Sequence, residues 1–352
     1  MTLPLAAALS ELEARLGAEG AAPGVRRVEV RAGELTLELG GALGPRWFRF
    51  HAGELRELDP RDDERLPVCT LRRDVVARSE VLAWRPGRRM VLRTPANGRA
   101  HIVKAYRAGR AERARANHER VLAASGPQLR PPRLVGFDPQ ACTLELELLD
   151  ATRPGIREED AHLWFGIGYA LRRFQERAAT RGLEVHDRGR EHGVLSELAA
   201  RTAGVTAMDA GWERAFGRLG ETRPVRARRA VVLHRDLHDK QILVSAGQSA
   251  WIDFDLLCAG DPLLDAANLT AHLKLRVLQG VQGATESGAT ACARAFLEGL
   301  DRSSGERGRR ELRCWQAGTF LRLALVYALR PRWGHLVPSL VDLANRCLDE
   351  AG

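Results

Sequence analysis

Lysine is scarce in this 352-residue chain, which carries 51 arginines but only three lysines, at positions 104, 240 and 274. Aromatic residues are also few, at 5% of the sequence. The net charge of +9 comes from arginines that are interleaved with acids rather than gathered in a tail. Nucleic-acid binding typically uses clustered basic residues and aromatic stacking platforms, so the composition argues against it.

Cysteine pairs and long apolar runs are missing as well. The six cysteines lie far apart, at positions 69, 142, 258, 292, 314 and 347, and none has the C-x-x-C spacing of zinc or redox sites. This pattern favours reduced thiols and a cytoplasmic protein. No apolar run is long enough to span a membrane. The apolar stretch from Leu3 to Leu9 soon meets Glu11 and Glu13, which is typical of an amphipathic helix and not of a signal peptide.

The stretch from Val231 to Ala267 carries the densest set of candidate chemical groups. An apolar strand, Val231 to Leu233, is predicted to lead into a polar loop, and two more short strands are expected around Ala246-Gly247. Asp236 and Asp253 are thereby placed where a strand meets a loop. Two such carboxylates suit phosphoryl transfer, because one can take the proton of an attacking hydroxyl while the other holds Mg2+.

Three motifs in this stretch resemble the signature of the aminoglycoside phosphotransferase and choline kinase-like family, small-molecule relatives of the protein kinases. The family motif H-x-D-x-H-x-x-N corresponds to residues 234–241, I-D-[FW] to residues 252–254, and G-D-P-x-x-D to residues 260–265. The match is complete except at Gln241, which stands at the asparagine position. The resemblance covers about residues 66 to 352.

The resemblance implies an α+β, two-lobed, protein kinase-like fold. We expect an antiparallel-sheet N-lobe over residues 66–149 and a mainly helical C-lobe with the catalytic loop over residues 150–352. Residues 1–65 are predicted to form an N-terminal extension, a helix followed by a small antiparallel sheet, because alternating runs at residues 25–30, 34–39 and 46–51 are separated by turns. No residue of this extension points to chemistry.

The resemblance also assigns roles within the motifs. Asp236 is expected to be the catalytic residue that accepts the proton of the acceptor hydroxyl, and Asp253 to bind Mg2+. Gln241 is expected to be the second metal ligand, although its amide oxygen stands one methylene farther out than that of asparagine. The remaining motif residues are expected to support the loop or line the acceptor site: His234, Arg235, His238, Asp261 and Asp265.

A nucleotide site is expected in the N-lobe. Lys104 lies in the third of three candidate strands, at residues 81–84, 89–93 and 101–106, the last two joined by an Asn97-Gly98 hairpin signal. In the family such a lysine reaches the phosphates of ATP or GTP and is held by a carboxylate of the next helix, here residues 111–124. We expect Glu119 to be that carboxylate, with Glu112 as the alternative.

Two further nucleotide contacts follow from the same resemblance. Gly87 is the only glycine in the turn between the first two strands, so fewer backbone amides can approach phosphate there, and Arg88 or Arg89 is the alternative source of charge. The backbone from Glu147 to Leu149 is expected to pair with the nucleotide base.

The sequence therefore predicts an ATP- or GTP-dependent phosphotransferase that acts on a hydroxyl of a small molecule, such as a sugar or an amino alcohol. Residues 151–230 hold 15 arginines against 11 acids, which favours a neutral or anionic acceptor over a polycation. The alternative is a nucleotide-binding regulator with weak or no catalysis, given Gln241 and the sparse turn. A basic nucleic-acid adaptor is the third hypothesis.

Overall fold

The structure is a computed structural model that describes residues 5–18, 24–31, 33–40, 45–96, 99–203, 208–222, 229–245, 247–301 and 305–352. The α-helices of these residues are α1 (Leu5–Ala18), α2 (Pro67–Leu71), α3 (Arg73–Arg78), α4 (Ala111–Ala124), α5 (Ala161–Arg177), α6 (Arg188–Thr202), α7 (Ala210–Glu221), α8 (Leu263–Leu278), α9 (Glu286–Leu300), α10 (Gly305–Ala328) and α11 (Val337–Asp349). The strands are β1 (Val25–Arg31), β2 (Glu34–Leu39), β3 (Arg46–His51), β4 (Glu54–Leu58), β5 (Glu80–Arg85), β6 (Arg89–Ala96), β7 (Arg99–Tyr106), β8 (Leu134–Asp138), β9 (Thr143–Glu147), β10 (Val185–His186), β11 (Val231–Leu233), β12 (Ile242–Ser245), β13 (Gln248–Trp251) and β14 (Cys258–Gly260).

The chain divides into two compact units. The first contains Met1–Asp59, His186–Arg226 and Glu306–Gly352, and the second contains Pro60–Val185 and Ala227–Gly305. This grouping differs from the three consecutive segments expected from the sequence, because the N-terminal segment shares its unit with helices that come much later in the chain. Among the described residues, none of the helices has the length and apolarity needed to cross a membrane.

The first unit contains a four-stranded antiparallel sheet in the order β1-β2-β3-β4, one strand more than the sequence predicts. The apolar side chains on one face of strands β1 to β3 pack against the apolar face of α1, as the periods of about 2 in strands and 3.6 in helices allow. The backbone N–H of Val28 also donates to the carbonyl of Leu329. The core of this layer is formed by Ala8, Leu12, Leu16, Val25, Val28, Leu35, Leu37, Leu39, Phe48 and Phe50.

The second unit begins with a five-stranded antiparallel sheet in the order β5-β6-β7-β9-β8. Strands β6 and β7 form a hairpin that pairs Ala96 with Arg99; the Asn97-Gly98 signal itself lies outside the described residues. Lys104 on the central strand β7 pairs with Val91 on one side and Leu144 on the other. A position in the middle of the sheet fixes the backbone from which this lysine extends.

Helices, a short sheet in the order β10-β14-β11 and the two-stranded ladder of β12 and β13 complete the second unit. β11 pairs antiparallel with β14, and β12 pairs antiparallel with β13. Helices α5 and α9 approach closely through glycines: a Cβ atom on Gly168 would lie 2.0 Å from the Phe296 carbonyl oxygen, and one on Gly299 would lie 2.1 Å from the Phe165 carbonyl oxygen. An antiparallel sheet followed by a mainly helical region is the α+β architecture that the sequence predicts.

Candidate active site

The loop that carries Asp236 is fixed by helix α8. The Asp265 carboxylate accepts two backbone hydrogen bonds, from His234 N at 2.8 Å and from Arg235 N at 2.7 Å. Arg235 has a left-handed φ of 68°, a strained conformation for a long side chain, which these bonds hold in place. Asp265 is fully buried; burial raises its pKa above the ordinary value, and the two backbone donors oppose that rise.

The other side of the loop is held by the same helix. Asn268, one turn after Asp265, donates from Nδ2 to the Leu237 carbonyl at 2.8 Å. His234, buried within the loop, contacts the Ile252 carbonyl through Nε2 at 2.9 Å and so ties the loop to the end of β13. Asp236 therefore stands between two anchored residues while a third of its own side chain stays exposed. A fixed backbone and an accessible carboxylate are what a proton acceptor for a bound substrate requires.

His238 is a close neighbour of Asp236. Its Nε2 lies 4.0 Å from Asp236 Oδ2, and its Nδ1 accepts from Lys240 N at 3.1 Å. Burial lowers the pKa of His238 below its ordinary value, so the ring is neutral at pH 7 and carries its proton on Nε2, the nitrogen that faces Asp236. The ring also stacks on His272 of α8, with centroids 4.7 Å apart.

Asp253 follows β13 in a left-handed conformation, with φ 67° and ψ 64°. The next residue, Phe254, is buried, and its carbonyl accepts from Asn117 Nδ2 of α4 at 3.0 Å. The Phe254 ring also lies against His118 and His234, at centroid distances of 5.4 and 5.5 Å. Phe254 thus anchors the segment through its carbonyl and its ring, while the Asp253 carboxylate takes no part in these contacts.

That carboxylate joins a cluster of four charges, which we call the Lys104 cluster: Arg89, Lys104, Asp253 and Asp255. Lys104 Nζ donates to Asp253 Oδ1 at 2.8 Å and to Asp255 Oδ1 at 2.6 Å. Arg89 Nη1 lies 3.1 Å from Asp253 Oδ1 and 2.7 Å from Asp255 Oδ2. Tyr106 adds a hydrogen bond from its hydroxyl to Asp255 at 2.8 Å. Two cations and two carboxylates neutralise one another.

In the Lys104 cluster, each charged group stabilises the ionised form of its oppositely charged neighbours. Burial alone would lower the pKa of Lys104, but the carboxylates of Asp253 and Asp255 outweigh it and raise that pKa above its ordinary value. Burial would likewise raise the pKa of Asp253, and the cations Lys104 and Arg89 instead hold it well below its ordinary range. Asp253 is therefore ionised at every physiological pH, as a metal ligand must be.

Gln241 lies beside Asp253, as a shared metal site requires. Its Nε2 is 3.4 Å from Asp253 Oδ2, and a half-turn of the amide would bring its carbonyl oxygen to the same place. Its backbone turn is held by an ion pair between Asp239 and Arg276 of α8, with nitrogen–oxygen distances of 2.8 to 3.0 Å. The donors at this place are the Asp253 carboxylate and the amide oxygen of Gln241, and an all-oxygen donor set fits Mg2+.

The structure corrects the expected partner of Lys104. Glu119 is half exposed, and its carboxylate lies 3.5 Å from Arg115 Nη1 on its own helix; Glu112 is exposed too. Helix α4 buries Asn117 and His118 instead, so Glu119 falls on the solvent side. The carboxylate that joins Lys104 and Tyr106 is that of Asp255. The signal for it was in the sequence, as a second acid two residues after Asp253.

The turn at Gly87 also differs from the expected phosphate-binding arrangement. Gly87 has a left-handed φ of 63°, but its N–H donates to Asp63 Oδ2 at 2.6 Å, and the same oxygen accepts from Trp84 Nε1 at 2.8 Å. A carboxylate of the preceding segment thus takes the amide that was expected to face phosphate. Asp63 belongs to the N-terminal extension, in which the sequence points to no chemical role.

The segment expected to bind the nucleotide base begins inside the sheet. The Glu147 N–H donates to the Arg133 carbonyl, and its carboxylate pairs with Arg130 at 2.7 Å and Arg133 at 3.2 Å. Leu149 lies two residues beyond the end of β9, in irregular backbone. Of the segment expected to pair with the nucleotide base, only Leu148 and Leu149 therefore lie outside β9.

Asp261 lies just before helix α8. Its side chain accepts a hydrogen bond from Leu263 N, the first residue of that helix, at 2.8 Å.

Comparison with known proteins identifies the class of protein. Residues 77–313 match the model of the family described as phosphotransferase enzyme family (APH). This span is more than half of the chain, and the chain belongs to that family. No curated protein matches its sequence.

Solved structures of low sequence identity share the fold. A choline/ethanolamine kinase family protein from Mesorhizobium loti is 13% identical, with a TM-score of 0.53 over 77% of this chain and 88% of that chain. Choline kinase LicA from Streptococcus pneumoniae is 14% identical, with a TM-score of 0.54 over 77% and 92%. Amicoumacin kinase hAmiN, solved with AMP-PNP, Ca2+ and Ami, is 15% identical, with a TM-score of 0.55 over 82% and 94%. The predicted kinase-like fold is confirmed.

Proposed function

We propose that this phosphotransferase moves the γ-phosphate of ATP or GTP to a hydroxyl group of a small molecule, with Mg2+ as the metal ion. The observation that carries the proposal is the meeting of Lys104 with Asp253 beside Gln241, while α8 anchors the loop of Asp236. A phosphate-binding cation, a metal-binding carboxylate and an accessible proton acceptor are the parts that phosphoryl transfer needs. The AMP-PNP and Ca2+ of the amicoumacin kinase structure support a nucleotide and a divalent metal.

The proposed step is a direct displacement. The acceptor oxygen forms a bond to the γ-phosphorus, the bond from that phosphorus to the β–γ bridging oxygen breaks, and the hydroxyl proton passes to Asp236. The products are a phosphomonoester and a nucleoside diphosphate. Asp253 and Gln241 would hold Mg2+, which neutralises the phosphate oxygens when bound. The neutral ring of His238 would lie beside that carboxylate, with Nε2 4.0 Å from Asp236 Oδ2.

The acceptor is proposed to be neutral or anionic, because arginines outnumber acids 15 to 11 over residues 151–230. Polycationic acceptors would meet repulsion from such a surplus. We also propose a cytoplasmic location, which the six buried cysteines, none of them in a disulfide, favour.

The test is a phosphorylation screen. Purified protein, Mg2+ and either ATP or GTP are incubated with a panel of sugars, amino alcohols and other hydroxyl compounds, and phosphorylated products are detected by mass spectrometry. Asp236→Asn is expected to lower kcat by about 10²- to 10⁴-fold, the usual contribution of a general base, while nucleotide binding stays. Asp253→Asn is expected to weaken metal-dependent nucleotide binding. Asp74→Asn, which removes an exposed carboxylate on α3, is the control.

Binding of nucleotide without turnover across the whole panel would favour the alternative, a nucleotide-binding regulator. Absence of both binding and transfer in the wild type would refute the proposal. For the metal ligand, Gln241→Asn should keep or raise activity and Gln241→Leu should lose it. A fully active Gln241→Leu variant would remove Gln241 from the metal site and leave the rest of the proposal standing.

A further inference from the structure

The β5–β6 turn has few backbone donors to offer a phosphate group. The Gly87 N–H donates to Asp63 at 2.6 Å, and the Arg88 N–H donates to the Arg85 carbonyl at 2.9 Å. Protein kinases cover the phosphates with several amides of a glycine-rich loop at this place. Because these amides donate to acceptors within the protein, a phosphate group at this turn would need positive charge from a side chain instead.

Arg89 is placed to be that side chain. It is the first residue of β6, and it reaches the Lys104 cluster with a single nitrogen, Nη1, which lies 3.1 and 3.3 Å from the Asp253 oxygens and 2.7 Å from Asp255. A guanidinium carries five N–H donors in a planar fork that matches phosphate oxygens. The contacts through Nη1 leave the Nε and Nη2 donors outside these ion pairs.

A metal ion bound at Asp253 would change the charge balance of the Lys104 cluster. In the chain alone, the charges of Arg89 and Lys104 are balanced by those of Asp253 and Asp255. A divalent cation on Asp253 would stand within a few ångströms of both cations, and like charges at that separation repel by several kcal/mol at intermediate dielectric. The two cations then require new anionic partners, which the nucleotide phosphates supply.

We propose that Arg89 binds a phosphate group of the nucleotide, and that it occupies Asp253 and Asp255 until the metal ion and the nucleotide arrive together. The proposal rests on the proposed function. Arg89 would supply the positive charge that the sparse β5–β6 turn lacks. We assign no phosphate contact to the neighbouring Arg88, whose side chain is exposed on the same turn.

The test compares nucleotides that differ only in phosphate. Affinities for ATP and for adenosine, or for GTP and guanosine if the guanine base is bound, are measured by isothermal titration calorimetry at a Mg2+ concentration that saturates every variant, so that a change in metal affinity does not enter the comparison. Arg89→Met is expected to weaken triphosphate binding by about 10- to 100-fold, the loss of one or two hydrogen bonds to a charged group, and to leave nucleoside binding unchanged. Arg88→Met is the matched control and should bind both as the wild type does.

A second readout uses the metal alone. Binding of Mn2+ without nucleotide, followed by electron paramagnetic resonance, is expected to become about tenfold tighter or more in Arg89→Met, because a positive charge beside Asp253 is gone. If the single variant does not fold, the double variant Arg89→Met/Asp255→Asn removes one charge of each sign, and it should still lose triphosphate binding relative to Asp255→Asn.

The outcomes separate this inference from the proposed function. Equal triphosphate affinity in the Arg89→Met and Arg88→Met variants, with wild-type binding intact, overturns the role of Arg89 and leaves the proposed function standing. Unchanged Mn2+ binding overturns the occupation of Asp253 by Arg89. A wild type that binds neither nucleoside nor triphosphate refutes the proposed function, and this inference with it.

Discussion

Replacement of Lys104 by methionine tests the energetics of the charged cluster. The Nζ atom contacts two carboxylates at 2.8 and 2.6 Å, and a tenth of the side chain is exposed. The chain has two other lysines, and one of them gives a matched control: Lys274 pairs with Glu286 at the surface, where the glutamate side chain is 63% exposed. Lys104→Met and Lys274→Met therefore remove the same group from a buried and from an exposed ion pair.

The two variants are expected to differ in the free energy of unfolding. Removing one partner of a buried ion pair costs about 3–5 kcal/mol, because the other partner is left buried and uncompensated. Lys104→Met leaves two carboxylates with Arg89 as the cation of the cluster, so the loss belongs in this range. An exposed pair contributes about 0–1 kcal/mol, and Lys274→Met should fall there. Denaturant unfolding at pH 7 measures both values.

The pH dependence separates lost charge from lost packing. In the wild type the pKa of Asp253 lies well below its ordinary value of 3.8, so its contribution to stability is complete above that value and declines as pH falls toward the folded-state pKa. Without Lys104, burial raises the pKa of Asp253, and protonation at low pH removes the charge that has lost its partner. The difference between wild type and Lys104→Met should therefore shrink from pH 7 to pH 4.5. A cost below 1 kcal/mol, or one that does not change with pH, would refute the assigned charge balance.

Two further predictions concern the scaffold. Gly168→Ala places a methyl group 2.0 Å from the Phe296 carbonyl oxygen, and overpacking should lower the free energy of unfolding by about 1–3 kcal/mol or more. Gly166→Ala, on the same helix with open space around it, should instead raise it by about 0.5–1 kcal/mol through helix propensity. Equal effects of the two variants in thermal or denaturant unfolding would contradict the close packing. Asp265→Asn places an amide N–H₂ against one of the two backbone donors of the loop that carries Asp236, and it should lower kcat with little change in nucleotide affinity. Asp261→Asn keeps a side chain that caps helices equally well, and it should match the wild type in both measurements.

The fold could be predicted from the sequence because its signals are local or carried by motifs. Helix α4 has the predicted bounds, and strands β5 to β7 fall within a few residues of the expected runs. The extent of helix α8 was not predicted, since thirteen of its sixteen residues are buried and a helix buried all round shows no amphipathic period. The fourth strand, β4, was missed because its five residues are mostly exposed and give no alternating pattern.

The partners within the site were harder to predict, because they depend on how elements pack. The spacing between Lys104 and Glu119 was similar to that of the family, but spacing defines a position along α4 and not the rotation of the helix against the sheet. That rotation buries Asn117 and turns Glu119 to solvent. The partner of the lysine is Asp255, 151 residues away, and no local pattern relates the two positions.

The ion pairs of the Lys104 cluster would couple the binding of the metal ion to the binding of the nucleotide. Arg89 and Lys104, the two cations proposed to contact the nucleotide, are paired with Asp253, the proposed metal ligand, and with Asp255 beside it. Metal or phosphate alone would therefore break ion pairs without replacing them. A metal–nucleotide complex replaces both sets of partners at once, since it brings two positive charges to Asp253 and Asp255 and several negative charges to the cations. We therefore expect metal and nucleotide to bind with positive coupling, and reciprocity requires that each strengthens the other by the same factor.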